Sequence, residues 1–251
     1  MTTAILFVGH GTRRQHGIEE FVRFVDAVRF LVSPSLLSSL AFLELQPPDI
    51  IQGIDSLVAQ GADHVVCIPL FLFSAGHMLE DIPNQLASAA RVHPHVRMTL
   101  SEPYGTDGAL FHALVDRIAA LSENLLAEDT GILLLGRGNK EPQAQAVFAD
   151  LANRLATHVH AQVSVGYLAG TGRRLEDTLT QMAAEGFSTI VVAPFLWFSG
   201  WLTDTLPDRI AKWQAAAGHC EIKIRVSSHL GIHPEVVACV AERVRACLAE
   251  A

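Results

Sequence analysis

The sequence is poor in the features that mark several large functional classes. It has 4 cysteines in 251 residues, at 67, 220, 239 and 247, and none forms a Cys-x-x-Cys pair. A zinc ribbon and an iron–sulfur ligand run are therefore not written into it. Charged residues make up only 18%, and basic ones are the minority, 18 Lys and Arg against 26 Asp and Glu. The resulting net charge of -8 opposes attraction to nucleic acid or to an anionic membrane surface. Long apolar runs are missing too. The longest, Val65 to Phe73, could not cross a bilayer, which takes about 20 residues as a helix. The first residues lack the basic stretch and sustained apolar segment of a secretion signal, so a cytoplasmic protein is expected. What the chain does have is hydrophobic residues, half of the total, enough for one large or two ordinary cores.

That apolar content is arranged twice. Thr3 to Gly11 is a short apolar run ending in Gly9-His10-Gly11, and Thr130 to Gly138 ends in Gly136-Arg137-Gly138. Gly61 to Phe73 is answered by Gly186 to Phe198, Pro83 by Pro207, and Gly105 by Gly231. Four landmarks in one order at nearly constant offset indicate a duplication, with repeats expected at 1–127 and 128–251.

Each repeat alternates short strands with longer helices. In the first, strands are expected near 5–8, 38–43, 64–70 and 96–100. Helices are expected near 17–31, 50–59, 79–91 and 107–122. Ile18, Phe21, Val22, Val25 and Val28 recur at steps of three and four, as one face of a helix does. Gly61 follows the second helix as a stop signal. The second repeat places strands near 132–135, 162–168, 189–194 and 222–227. The fold class is α/β, two tandem three-layer domains with mostly parallel sheets. Ligands of such sheets bind beyond the carboxyl ends of the strands, so an active-site cleft between the repeats is expected.

Three residues stand at those strand ends in the first repeat. His10 follows the first strand between two glycines, Glu44 follows the second, and His77 follows the third in Phe73-Ser74-Ala75-Gly76-His77. The glycine pair could be a simple turn, and it is not a dinucleotide fingerprint or a Walker loop, because the remaining motif residues are missing. Glu44 could equally be a surface carboxylate. Two histidines and a carboxylate nevertheless suit iron, cobalt, nickel or zinc. Aligned with the second repeat, His10 falls on Arg137, Glu44 on Ala169 and His77 on Trp201. The candidate ligands vanish together while the scaffold glycines and prolines persist. Such joint loss is odd for residues that serve only the fold.

Arg13, Arg14, Arg137, Lys140, Arg173 and Arg174 all lie near expected strand ends. Guanidinium groups there suit carboxylates or phosphates, so a locally basic pocket for an anionic ligand is expected on an acidic protein.

Val8-Gly9-His10-Gly11-Thr12-Arg13, Phe42-Leu43-Glu44 and Pro69-Leu70-Phe71-Leu72-Phe73-Ser74-Ala75-Gly76-His77 resemble the class II tetrapyrrole chelatases, above all the sirohydrochlorin cobaltochelatase and ferrochelatase group in its long two-domain form. The resemblance spans essentially the whole chain. It implies ATP-independent insertion of a divalent metal into sirohydrochlorin, with Co²⁺ or Fe²⁺, or else Ni²⁺, as co-substrate. No ATP, NAD or iron–sulfur cluster is implied. His10 and His77 match the histidines that bind metal and accept pyrrole protons, and Glu44 matches the neighbouring acidic position. Leu45, Phe73 and Trp201 are then apolar contacts for the ring, and Arg13, Arg14, Ser74 and Arg137 polar contacts for its periphery. A monomer is expected, since the halves are already paired covalently. A non-catalytic tetrapyrrole or metal carrier would use the same pocket and is the alternative. A two-metal hydrolase would need a cluster of aspartates that the sequence does not contain.

Overall fold

In the computed structural model the residues described are 2–73, 76, 80–121, 129–218 and 220–250, the side chain of Ala217 excepted. The chain alternates β1 (Thr3–Gly9), α1 (Gln15–Val32), β2 (Ser38–Phe42), α2 (Ile50–Ala59), β3 (His64–Pro69), α3 (Ile82–Val92), β4 (Arg97–Leu100) and α4 (Gly108–Ala119). The second repeat runs β5 (Thr130–Gly136), α5 (Pro142–Val159), β6 (Val163–Tyr167), α6 (Leu175–Ala184), β7 (Thr189–Pro194), α7 (Trp201–Asp204), α8 (Leu206–Ala217), β8 (Lys223–Val226) and α9 (Pro234–Ala249). The strands form two four-stranded parallel sheets, ordered β2-β1-β3-β4 and β6-β5-β7-β8. The α/β class and the duplication follow the expectation from sequence. The short helix α7 has no counterpart in it.

Both sheets are covered on both faces, which is why their central strands are continuous apolar runs. Ala4, Ile5, Leu6, Phe7 and Val8 are all fully buried. Ala4, Leu6 and Val8 point to one side, where they join Ile50, Ile54 and Leu57 of α2 and Ile82, Leu86 and Ala89 of α3. Each such large side chain contributes about 1.5–3 kcal/mol by leaving water. In the second sheet Leu133 and Leu135 join Leu175, Leu179 and Met182 of α6 and Ile210 and Trp213 of α8. Local signals agree with this layering. Asp49 caps α2 by accepting from the Gln52 amide, whose side chain accepts in return from the Asp49 amide. Gly61, at φ 93°, follows that helix as its stop.

The spatial units differ from the repeats. One compact unit comprises Met1–Gly105 with Ile232–Ala251, the other Thr106–Gly231. The last helix of each repeat has thus changed places: α9 packs on α1 in the first unit, and α4 packs on α5 and β7 in the second. The expected junction at 127/128 falls outside the described residues. The exchange begins at Gly105 and Gly231, with φ 58° and 53°, whose amides donate to Leu72 and Trp197 carbonyls respectively. Aromatic and cationic contacts secure each exchanged helix. The Arg154 guanidinium lies 3.8 Å from the centre of the Phe111 ring of α4, and His158 meets that ring edge-on at 5.4 Å. Arg243 of α9 lies 4.5 Å from the Tyr104 ring centre and donates to the Glu102 carbonyl at 2.8 Å.

Candidate active site

The carboxyl edge of the first sheet is built by continuing the β1–β2 ladder one step past the strands. Gly9 pairs with Phe42 in register. The Leu43 amide then donates to Gly9 O at 2.9 Å, and the Glu44 amide to His10 O at 3.1 Å. These bonds put two residues 34 positions apart in sequence side by side on the rim. His10 Nδ1 lies 3.6 Å from Glu44 Oε1, with the two side chains 31% and 47% exposed. That separation is an ion-pair distance, beyond a strong hydrogen bond. His10 Nδ1 also lies 3.3 Å from Gly11 O. The Phe71 ring, just past β3, stands 6.3 Å from the imidazole, centre to centre.

Gly11 makes this arrangement possible. Its φ is 96°, and a β-carbon there would drive into the Glu44 carbonyl oxygen. Only glycine allows the two loops to close together so far. The loop after β2 is tied at its far end by the Phe42 amide donating to Pro48 O at 2.8 Å. It carries Leu45 at φ 73°, 49% exposed beside Glu44.

The second unit repeats this frame without the histidine or the carboxylate. The Leu168 amide donates to Gly136 O at 2.9 Å and the Ala169 amide to Arg137 O at 2.7 Å. Gly138, at φ 103°, presses on the Ala169 carbonyl as Gly11 presses on that of Glu44. The structure therefore supports the pairings of His10 with Arg137 and Glu44 with Ala169. Its loops are tied by hydrogen bonds of their own. Gln145 Nε2 donates to Asn139 O at 2.6 Å and to Thr171 Oγ1 at 2.8 Å. Arg209 grips Glu176 through two bonds of 2.6 and 2.7 Å and donates to Leu168 O at 3.0 Å. The hydrogen bond from Arg209 holds the Glu176 carboxyl below its ordinary pKa, against the opposing effect of burial.

Of the residues expected from sequence, His10, Glu44 and Leu45 come together on one rim. Arg13 and Arg14 are exposed on the loop after β1, with Arg14 heading α1, and Phe73 is half-buried past β3. Arg137 is exposed in the second unit, as is Trp201, at 61%, where it begins α7. His77 and Ser74 lie outside the described residues. Among the described residues no three His, Cys, Asp or Glu side chains converge as a metal-binding group. Sequence reasoning passed over Phe71. Its signal was its place in the run Leu70-Phe71-Leu72-Phe73, immediately after the strand next to that of His10.

Comparison with known proteins finds the same duplication. The CbiX family pattern matches residues 4–121 and again 131–247. The sirohydrochlorin ferrochelatase of Bacillus subtilis is 29% identical over 98% of this chain and 92% of its own length. The sirohydrochlorin cobaltochelatase of Priestia megaterium is 29% identical over 96% of this chain and 78% of its own. The crystal structure of the sirohydrochlorin chelatase SirB from Bacillus subtilis subspecies spizizenii in complex with cobalt superposes with a TM-score of 0.80 at 28% identity, covering 98% of this chain and 94% of that one. The duplicated parallel sheets and both family matches lead to one conclusion: this chain belongs to the CbiX family of class II tetrapyrrole chelatases, in its two-domain form.

Proposed function

We propose that this protein inserts a divalent metal ion, Co²⁺ or Fe²⁺, into sirohydrochlorin, with no nucleotide consumed. The observation that carries the reading is the His10–Glu44 pair at 3.6 Å on the rim of the first unit, on a backbone frame that the second unit copies without either side chain. Insertion exchanges two pyrrole N–H protons for one M²⁺, so the site must hold a cation loosely and accept protons from the same face. A neutral imidazole does both near physiological pH. In this reading His10 offers a nitrogen to the ion or to a pyrrole proton. Glu44 stabilises the imidazolium that forms, or passes the proton on. Their half-exposed positions suit transfer, since a closed four-ligand cage would retain the metal.

His77 is proposed as the second histidine of this site, on the chain that leaves β3. Arg13, Arg14, Phe73 and Ser74 are proposed as substrate contacts. Arg137 and Trp201 hold the matching positions of the second unit and are assigned no metal chemistry. Among the described residues no helix is long and apolar enough to cross a membrane. We place the enzyme in the cytoplasm as a monomer.

An anaerobic insertion assay with Co²⁺ and Fe²⁺, followed by the change in sirohydrochlorin absorbance, tests the reading. Acceleration over the uncatalysed reaction, lost in His10→Ala, is expected. Tight binding of sirohydrochlorin without acceleration by either metal would instead make the protein a carrier.

A further inference from the structure

Among the described residues two that are not glycine have positive φ, Leu45 at 73° and His160 at 51°. His160 is the C-cap of α5, a place where left-handed backbone is common. Leu45 has no such reason. Its side chain is 49% exposed and is not among the residues of the two core clusters described above. The left-handed region brings Cβ against the backbone, so a leucine there is disfavoured relative to glycine.

The duplicated unit isolates what the backbone needs from what the side chain adds. Its equivalent residue is Gly170, fixed by the matching bond from Ala169 N to Arg137 O, and its φ is 67°. The same turn is thus made twice. The unit without His10 and Glu44 uses the residue that the turn favours. The unit with them bears an exposed apolar side chain there, next in sequence to Glu44. Packing of the unit does not call for it, and strained positions of this kind cluster where a ligand is held.

We propose that Leu45 is a substrate-affinity residue, an apolar platform against which the flat face of the macrocycle rests beside His10 and Glu44, retained at a cost in stability. The inference rests on the chelatase reading above. Leu45 takes no proton and holds no metal. Its loss therefore raises the KM for the tetrapyrrole and leaves the KM for the metal alone.

The test compares Leu45→Gly and Leu45→Asn with the parent chain. Asparagine tolerates left-handed backbone and has leucine's size without its apolar surface. Thermal unfolding of Leu45→Gly is expected at or above the parent Tm. In cobalt insertion, both variants are expected to raise the KM for sirohydrochlorin about tenfold with kcat changed less than threefold, and Leu45→Met to restore it. The same ranking is expected in a titration of metal-free sirohydrochlorin followed by its absorbance. A KM and titration midpoint within twofold of the parent in both variants would overturn the proposal. So would a marked fall in Tm for Leu45→Gly, which would make the side chain structural. Failure of the parent chain to insert metal would refute the chelatase reading instead, and the titration would still decide whether Leu45 binds the ring.

Discussion

Gly11 and Glu44 meet through their backbones: the glycine α-carbon leaves no room for a β-carbon before the Glu44 carbonyl oxygen. The carboxylate is held beside His10 by this contact and by the Glu44 amide bond to His10 O. Gly11→Ala would add a left-handed penalty of about 1–2 kcal/mol and force the loops apart. A loss of about 2 kcal/mol or more is expected in urea unfolding, with a fall in insertion rate although no reactive group has been removed. Gly138→Ala should cost comparable stability, because Gly138 repeats the contact with Ala169. A Gly11→Ala protein of parental stability and rate would contradict this account of the rim.

Removing the imidazole and removing the charge test different parts of the proposed proton path. His10→Ala is expected to lower kcat by about 10²-fold or more, the usual scale for a positioned acid–base group. Glu44→Gln keeps the shape of the side chain and loses its charge, so a smaller fall of about tenfold is expected. Steady-state rates at saturating sirohydrochlorin measure both. If the two losses multiply fully in the double variant, His10 and Glu44 act independently and the pairing at 3.6 Å is incidental to the chemistry.

His64 should make the first unit sensitive to acid. It is buried at the start of β3, with Nε2 3.1 Å from Thr99 Oγ1. Burial, and then the Arg97 charge, lower its pKa, opposed in part by Asp63. The neutral form is favoured in the folded state, so the contribution is intact above the ordinary pKa of 6.5 and is lost as pH falls from there through the lowered folded value. His64→Gln should flatten the dependence of unfolding free energy on pH below about 6.5. An unchanged slope would mean that His64 protonates without cost in the folded chain.

Glu176 has the same sign of dependence at lower pH. The Arg209 hydrogen bond lowers its pKa from 4.5, so the stabilisation is present above that value and disappears as pH falls through the folded-state pKa. Arg209→Met should lower the Tm at neutral pH and leave a shallower acid limb. A parental acid limb in Arg209→Met would show that the pair contributes nothing to it.

Much of this was legible in the sequence because it depends on short-range pattern. Buried runs such as Ala4 to Val8 and glycine landmarks at near-constant offset reveal parallel sheets and a duplication. The loss of His10 and Glu44 at Arg137 and Ala169 needs only alignment of the chain with itself. Phe71 was not separable from its apolar neighbours, since which residue of a run turns toward an imidazole depends on the exit from the strand.

The amino-acid sequence alone determined the α/β class, the two repeats, and the half that holds the candidate His10 and Glu44. These follow from hydrophobic periodicity and residue identity, which are local. Tertiary structure alone decided the rest. It gave α4 to the second unit and α9 to the first, because a helix covers whichever sheet the chain reaches after Gly105 or Gly231. It also set His10 and Glu44 3.6 Å apart and twisted Leu45 into left-handed backbone, through hydrogen bonds between loops far apart in sequence. No periodicity encodes those bonds.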